Sequence, residues 1–146
     1  MTTRILIIIS CAVASSCNDQ SNTPGTSTNP VTTACYSAVN DKDSIRLSIK
    51  VTGGAVTGDL YYHLLEKDKN TGAIEGKMVG DTIIAEYSFA SEGMQSVREV
   101  AFLKKGENLV EGFGPVEDIN GKMVFKSRSA LVFDSANLLL KVECPK

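Results

Sequence analysis

Polar side chains in the same alternating phase as apolar ones are the residues of this sequence best placed to do chemistry. Arg98, Glu111 and Glu66 each share a phase with apolar neighbours along their segments, and Tyr62 and Tyr87 lie in segments with the same alternation. If these faces point into a barrel, Arg98 pairs with Glu111 or Glu66 beside the two tyrosines. Such a cluster would orient the polar group of a ligand within an otherwise apolar cavity. The alternative is that these charges lie at strand ends or form a structural ion pair.

The sequence does not contain a recognisable catalytic set. His63 is the only histidine, and a Ser-His-Asp relay would need a nucleophile and an orienting carboxylate beside it. A zinc site requires three or four ligands, usually His or Cys, so we expect no metal and no cofactor. Glu117 and Asp118 precede the Asn120-Gly121 turn, where they indicate a solvated loop rather than the acid/base pair of a glycosidase. We therefore predict that the protein is not an enzyme.

Composition limits the domain count and the partners. The chain has 146 residues, of which 42% are hydrophobic and 22% charged, as expected for one globular domain with some additional length. Its 15 basic and 17 acidic residues include no run of like charge, which argues against a nucleic-acid-binding surface. No apolar stretch reaches the roughly 18–20 residues of a membrane-spanning helix.

The elements that must position the polar cluster are short strands. Residues 45–51 alternate strictly between apolar and polar side chains, as in a half-buried strand. Glycine-containing turns are predicted at 53–54, 69–72, 80–81, 105–108 and 120–121, with Gly72 in the left-handed conformation. Further strands are predicted at 56–66, 73–79, 82–90, 97–103, 109–113, 123–127, 130–133 and 138–143.

This spacing predicts an all-β fold. About eight or nine short strands separated by frequent turns are typical of an antiparallel barrel or sandwich. Sequential hairpins favour a small antiparallel up-and-down β-barrel, because consecutive strands tend to pair. A helix over residues 91–104 is the alternative considered for that segment.

The N-terminus has the organisation of a secretory signal peptide. Arg4 precedes an apolar run that begins at Ile5, and small residues from Ala14 lead into Cys17. This ending resembles the lipobox of bacterial lipoproteins. The resemblance implies a signal peptide over residues 1–16, a diacylglyceryl group on the Cys17 thiol and an acyl chain, such as palmitate, on the new N-terminus. The alternatives are lipidation at Cys11 and an ordinary secreted protein cleaved nearby.

A tether and one domain are expected to follow Cys17. Residues 18–34 are mostly Ser, Thr and Asn, too polar to form a core, and predict a flexible tether; an additional edge strand over Val31 to Ala34 is the alternative. Cys35 and Cys144 bracket the remaining domain, 35–146. An exported chain encounters an oxidising compartment, so a disulfide between them is expected; two free buried thiols are the alternative.

The complete pattern resembles small β-barrel lipoproteins of Gram-negative cell envelopes, including the lipocalin-like ones. The resemblance implies a lipid-anchored membrane location, in the outer rather than the inner membrane, with the domain in the periplasm or on the cell surface. The function expected first is a non-enzymatic binding module for a protein or peptide partner. The alternative is a carrier that holds a small apolar ligand inside the barrel.

Overall fold

The computed structural model describes residues 29–40, 43–65, 69–91 and 93–145. Cys17 and Glu66, for which the sequence predicts roles, lie outside these residues. The described chain is all β apart from two short 3-10 turns, Arg128–Ala130 and Ser135–Asn137. The strands are β1 (Val31–Val39), β2 (Ser44–Thr52), β3 (Ala55–His63), β4 (Lys69–Val79), β5 (Thr82–Ser91), β6 (Met94–Lys105), β7 (Asn108–Gly112), β8 (Val116–Ile119), β9 (Lys122–Phe125) and β10 (Leu138–Val142).

Eight of these strands form a closed barrel, as predicted. Strands β1 to β7 pair in sequence order, and β10 lies between β7 and β1 and closes the sheet. All of these pairings are antiparallel. The sequence left open whether residues 31–34 belong to the tether or form an edge strand. They form the start of β1 and pair with the end of β2.

The remaining two strands, β8 and β9, form an outer hairpin (Val116–Phe125) that packs outside the barrel. Asn120 and Gly121 adopt positive φ angles of 55° and 81° at its turn, the conformation that favours Asn-Gly in tight hairpins. Strand β9 then runs parallel to the start of β6. On the outer face of β6, the Glu99 carboxylate accepts the Phe125 amide at 3.0 Å and pairs with Arg128 at 2.5 Å.

Two local predictions from the sequence are wrong, and so is the alternative of a helix over residues 91–104. Residues 69–72 are not a hairpin loop: they begin β4, and Gly72 pairs with Leu60 on one side and Phe89 on the other. The segment 91–104 is not a helix, because β6 occupies most of it. Residues 130–133 do not form a strand; the described structure has a 3-10 turn there and a single bridge between Phe113 and Val132.

Inward-facing glycines let the sheet bend tightly enough to close. Gly58 and Gly72 face the interior, and a Cβ atom at either position would lie within 2.0 Å of a backbone carbonyl on the neighbouring strand. Glycine within a strand often marks a sharp bend at a barrel corner where two backbones approach closely. This packing requirement, and not a turn, accounts for glycine at position 72.

Side chains fill the barrel around its middle. The inward faces of the strands place large apolar groups in contact, and those that are almost completely shielded from solvent are Tyr87, Phe102, Leu47, Leu60, Ile74, Ile83, Leu139 and Val56. An eight-stranded barrel is just wide enough for inward side chains to fill it. The interior is therefore a packed core at this level.

The predicted disulfide is present and ties the chain after β10 to the middle of β1. Cys35 and Cys144 are bonded with their Cα atoms 5.2 Å apart, and Cys35 pairs with Val142 at the end of β10. The start of β1 and the turns after β2, β4 and β6 lie together at one end of the barrel. We call it the anchor end, because the chain enters the barrel there from its N-terminal side.

Candidate functional site

The opposite end of the barrel contains a cavity of about 700 Å³, which we call the mouth cavity. Its walls come from the ends of β1, β3, β5 and β7 and from the starts of β2, β4 and β6. Ala136 and Asn137, just before β10, complete its rim. The sequence produces this arrangement because every second connection of an up-and-down barrel falls at the same end.

A hydrogen bond across the barrel forms the floor of this cavity. The Tyr62 hydroxyl on β3 donates to Oε1 of Glu111 on β7 at 2.5 Å. These strands lie on opposite sides of the eight-stranded ring, so the pair spans the lumen. Glu111 is only 3% exposed, and below it the Tyr87 hydroxyl donates to the Leu60 carbonyl at 3.1 Å. The floor separates the mouth cavity from the packed core.

Arg98 lies on this floor, held by aromatic rings. Its guanidinium carbon is 4.9 Å from the centre of the Tyr62 ring, 5.5 Å from that of Tyr87 and 5.6 Å from that of Phe89. Tyr87 and Phe89 are themselves stacked, with ring centres 4.7 Å apart. A cation above aromatic faces is stabilised by about 0.5–2 kcal/mol. The rings therefore fix the position of the guanidinium without neutralising its charge.

Three polar side-chain atoms beside the mouth cavity are buried without a hydrogen-bond partner among the described residues. They are Nε of Arg98, Oε2 of Glu111 and Oδ1 of Asn70, and all three residues line the mouth cavity. Most buried polar atoms in folded proteins have a partner, and each exception costs about 1–3 kcal/mol. A polar molecule in this cavity could form hydrogen bonds with all three atoms.

Burial controls the protonation of this cluster. It raises the pKa of the Glu111 carboxyl above its ordinary value, while the hydrogen bond from Tyr62 and the charge of Arg98 act in the opposite direction. Burial, and then the charge of Glu111, raise the pKa of Tyr62 well above its ordinary value. Burial also raises the pKa of Tyr87 to about 12. Both tyrosines are therefore neutral hydrogen-bond donors at physiological pH, and burial favours the neutral form of Glu111.

A smaller cavity of about 250 Å³ lies on the outer side of the same residues. Strand β7 pairs with β6 only from Ala101 onwards, which leaves the start of β6 facing the outer hairpin instead. Arg98, Glu111 and Phe113 line both cavities, and the outer one is otherwise lined mainly by apolar side chains, including Val100, Val116, Met123 and Phe125.

The structure brings together four of the five residues that the sequence singled out as a cluster. Arg98, Glu111, Tyr62 and Tyr87 meet at the floor, and Glu66 lies outside the described residues. Among the residues that can be described, no ion pair joins Arg98 to Glu111, because the carboxylate is held by Tyr62 instead. Arg98 and Glu111 thus share the floor of the cavity without forming a direct ion pair.

Sequence reasoning missed Asn70, which it assigned to a loop. Asn70 is the second residue of β4 and shares the inward phase with Gly72 and Ile74. Extending the alternation of β4 back through the predicted turn would have identified it.

His63 is exposed at the end of β3. Asp118 lies in β8 rather than in a loop, and its carboxylate accepts the Gly121 amide at 3.0 Å.

Comparison of the chain with protein-family models, with curated proteins and with solved structures found no match. Within the described ranges, no group of three or more His, Cys, Asp or Glu side chains is placed to hold a metal ion. A search of the same ranges for a helix long and apolar enough to cross a membrane found none.

Proposed function

We propose that this protein is a non-enzymatic binding module, anchored by a lipid on Cys17 to a membrane of the cell envelope, that holds a protein or peptide partner in its mouth cavity. The observation that carries the proposal is Arg98 on the floor of a cavity of about 700 Å³, where its buried Nε–H group has no hydrogen-bond partner among the described residues. A buried donor without a partner costs about 1–3 kcal/mol, and a ligand that accepts a hydrogen bond from it offsets that cost.

The position of the cavity suits a tethered receptor. The mouth cavity and the start of β1 lie at opposite ends of the barrel. A nine-residue strand such as β1 extends roughly 30 Å along its own axis. A lipid on Cys17 would therefore hold the anchor end toward the membrane and leave the mouth cavity facing away from it, where a partner has access.

Carriage of a small apolar ligand is the second candidate function. The outer cavity beside Arg98 and Glu111 supports it, because Val100, Val116 and Met123 give this cavity a mainly apolar lining. The packed core around Phe102 and Leu60 leaves the middle of the barrel filled. A small apolar ligand would therefore occupy the mouth cavity and its outer extension, and not the barrel centre.

The anchor is tested by replacing the lipidated residue. We expect Cys17→Ala, expressed in the native host, to move the protein from the membrane fraction to the soluble fraction, because the variant would lack the acyl chains that anchor the protein. Cys11→Ala is the matched control and should stay with the membranes. Full retention of Cys17→Ala in the membrane fraction would contradict lipidation at this residue, and release of the control would assign the anchor to Cys11.

The partner is tested by native mass spectrometry of the full lipidated protein, extracted from its envelope in a mild detergent. We expect a complex whose additional mass corresponds to a polypeptide and which Arg98→Gln abolishes. Arg46→Gln is the matched control, because Arg46 is exposed on the outer side of β2. An additional mass of only a few hundred daltons that is lost on denaturation would favour the carrier function instead. A bare wild-type mass would contradict both functions.

A further inference from the structure

The guanidinium of Arg98 is held in position with one buried N–H donor unused. Three aromatic rings surround the guanidinium, and its Nε atom has no partner among the described residues. None of the ion pairs between described residues includes Arg98. A planar guanidinium presents its N–H groups in a fixed fork that matches the two oxygens of a carboxylate. The missing partner is therefore an acceptor that carries negative charge.

The other charged residues of the mouth cavity favour a ligand group that carries only one negative charge. Asp43, Arg98 and Glu111 are the charged residues among the described lining, so one cation faces two carboxyl groups. Asp43 lies at the rim and accepts the Leu65 amide at 2.8 Å. A phosphate, with close to two negative charges at neutral pH, would meet repulsion that one arginine does not offset. A carboxylate carries one charge and fits the fork.

Glu111 is placed to respond when such a ligand binds. It is 3% exposed, and only one of its two carboxylate oxygens has a hydrogen-bond partner, the Tyr62 hydroxyl. The positive charge of Arg98 now favours its ionised form. A ligand carboxylate on Arg98 would screen that charge and add its own repulsion. Binding would therefore shift the protonation equilibrium of Glu111 toward its neutral form.

We propose that the ligand of the mouth cavity carries a carboxylate, that Arg98 binds it through its guanidinium N–H groups, and that Glu111 takes up one proton from solvent when it binds. This inference rests on the binding function proposed above and specifies the chemistry of the ligand. The carboxylate has two possible sources, the C-terminus of a peptide or a free small carboxylic acid. The experiment separates them.

The titratable groups that face Glu111 can be named element by element. Tyr62 approaches from β3, Tyr87 from β5 and Arg98 from β6. Burial raises the pKa of both tyrosines, and an arginine stays charged throughout this range. Among these residues Glu111 is therefore the group proposed to change its protonation on binding. Because the complex binds one more proton than the free protein, affinity must increase as the pH falls.

The test measures binding to the full lipidated protein in detergent micelles by following the Arg Nε–H resonances in NMR spectra. The probes are N-acetyl-trialanine with a free C-terminus, the same peptide as its C-terminal amide, and octanoate. We expect the free acid to shift the Arg98 resonance and the amide to bind at least about tenfold more weakly, since a charged hydrogen bond contributes about 1.5–3 kcal/mol. Arg98→Gln should lose binding of the acid, whereas Arg46→Gln should retain it.

The proton is tested by repeating the titration at pH 5 and pH 8, where the C-terminal carboxyl of the probe is ionised. One-proton linkage permits at most about a tenfold change per pH unit, and we expect the wild type to bind roughly tenfold more tightly at pH 5. Glu111→Gln should bind the acid with the same affinity at both pH values. A pH-independent wild type would overturn the proton uptake.

The comparison of acid with amide uses the wild-type protein and does not depend on a variant that folds. Equal binding of the two peptides, or of neither peptide and no octanoate, would overturn the carboxylate assignment. Binding of octanoate without binding of the peptide acid would support the carboxylate assignment and contradict the proposed peptide partner. The inference and the function on which it rests can therefore fail separately.

Discussion

Replacing both Cys35 and Cys144 with Ser is expected to lower the free energy of unfolding by about 4–5 kcal/mol. The disulfide joins residues 109 positions apart, and the chain-entropy model assigns a contribution of this size to a loop of that length. The bond also holds β1 against β10, the pairing that closes the barrel. Because a domain of this size is stable by only about 5–15 kcal/mol, the variant should unfold at much lower urea concentration.

Equilibrium urea unfolding of the full chain, followed by circular dichroism, measures this effect. The wild type in the presence of a reductant provides a second route to the same state and should reproduce the loss. Neither cysteine lines the mouth cavity, so the folded variant should still bind the acid peptide with unchanged affinity. A loss below about 1 kcal/mol would show that strand pairing alone sets the stability of the closure.

Phe102→Ala is expected to lower the free energy of unfolding by about 3–5 kcal/mol, the usual range for deleting a buried aromatic ring. Phe102 is completely buried. It pairs with Glu111 on β7 and with Ile83 on β5, so its ring lies in the layer that supports the floor. The deletion would leave a cavity in the packed core, because neighbouring strands held by backbone hydrogen bonds cannot collapse completely into the space.

Thermal and urea unfolding of the Phe102→Ala chain measure the cost, with Leu140→Ala as the control. Leu140 is 53% exposed on β10, and its truncation should change stability by no more than about 0.5 kcal/mol. The enlarged interior should also bind a small apolar probe such as benzene, as engineered apolar cavities do. A Phe102→Ala protein as stable as the wild type would mean that the interior is not packed around this ring.

These two outcomes bear on the choice between the candidate functions. A core that depends on Phe102 leaves no room for an apolar cargo at the barrel centre, and it confines any ligand to the mouth cavity and its outer extension. There the decisive groups are Arg98 and Glu111, whose unpartnered atoms favour a polar, charged headgroup. The protein or peptide partner and the small acid are then two occupants of one recognition site.

The sequence was sufficient for the local structure where side-chain alternation and turn chemistry agree. Residues 45–51 predicted β2 because their apolar side chains recur with the period of a half-buried strand. Asn120-Gly121 predicted its hairpin because both residues tolerate the positive φ angles that the turn requires. The same local rule failed at Gly72, where glycine serves a close approach between neighbouring strands. A one-dimensional pattern does not distinguish these two uses of glycine.

The sequence by itself therefore determined the β class, the phase that Arg98 and Glu111 share with apolar neighbours, and the two cysteines able to bond. Only the tertiary structure decided that Tyr62 and Glu111 meet, since they lie on strands on opposite sides of the barrel, 49 residues apart along the chain. Alternation specifies which face a side chain occupies, but not which strands oppose one another. That depends on where the ring closes and on how far the glycine bends curve it, which are properties of the whole sheet.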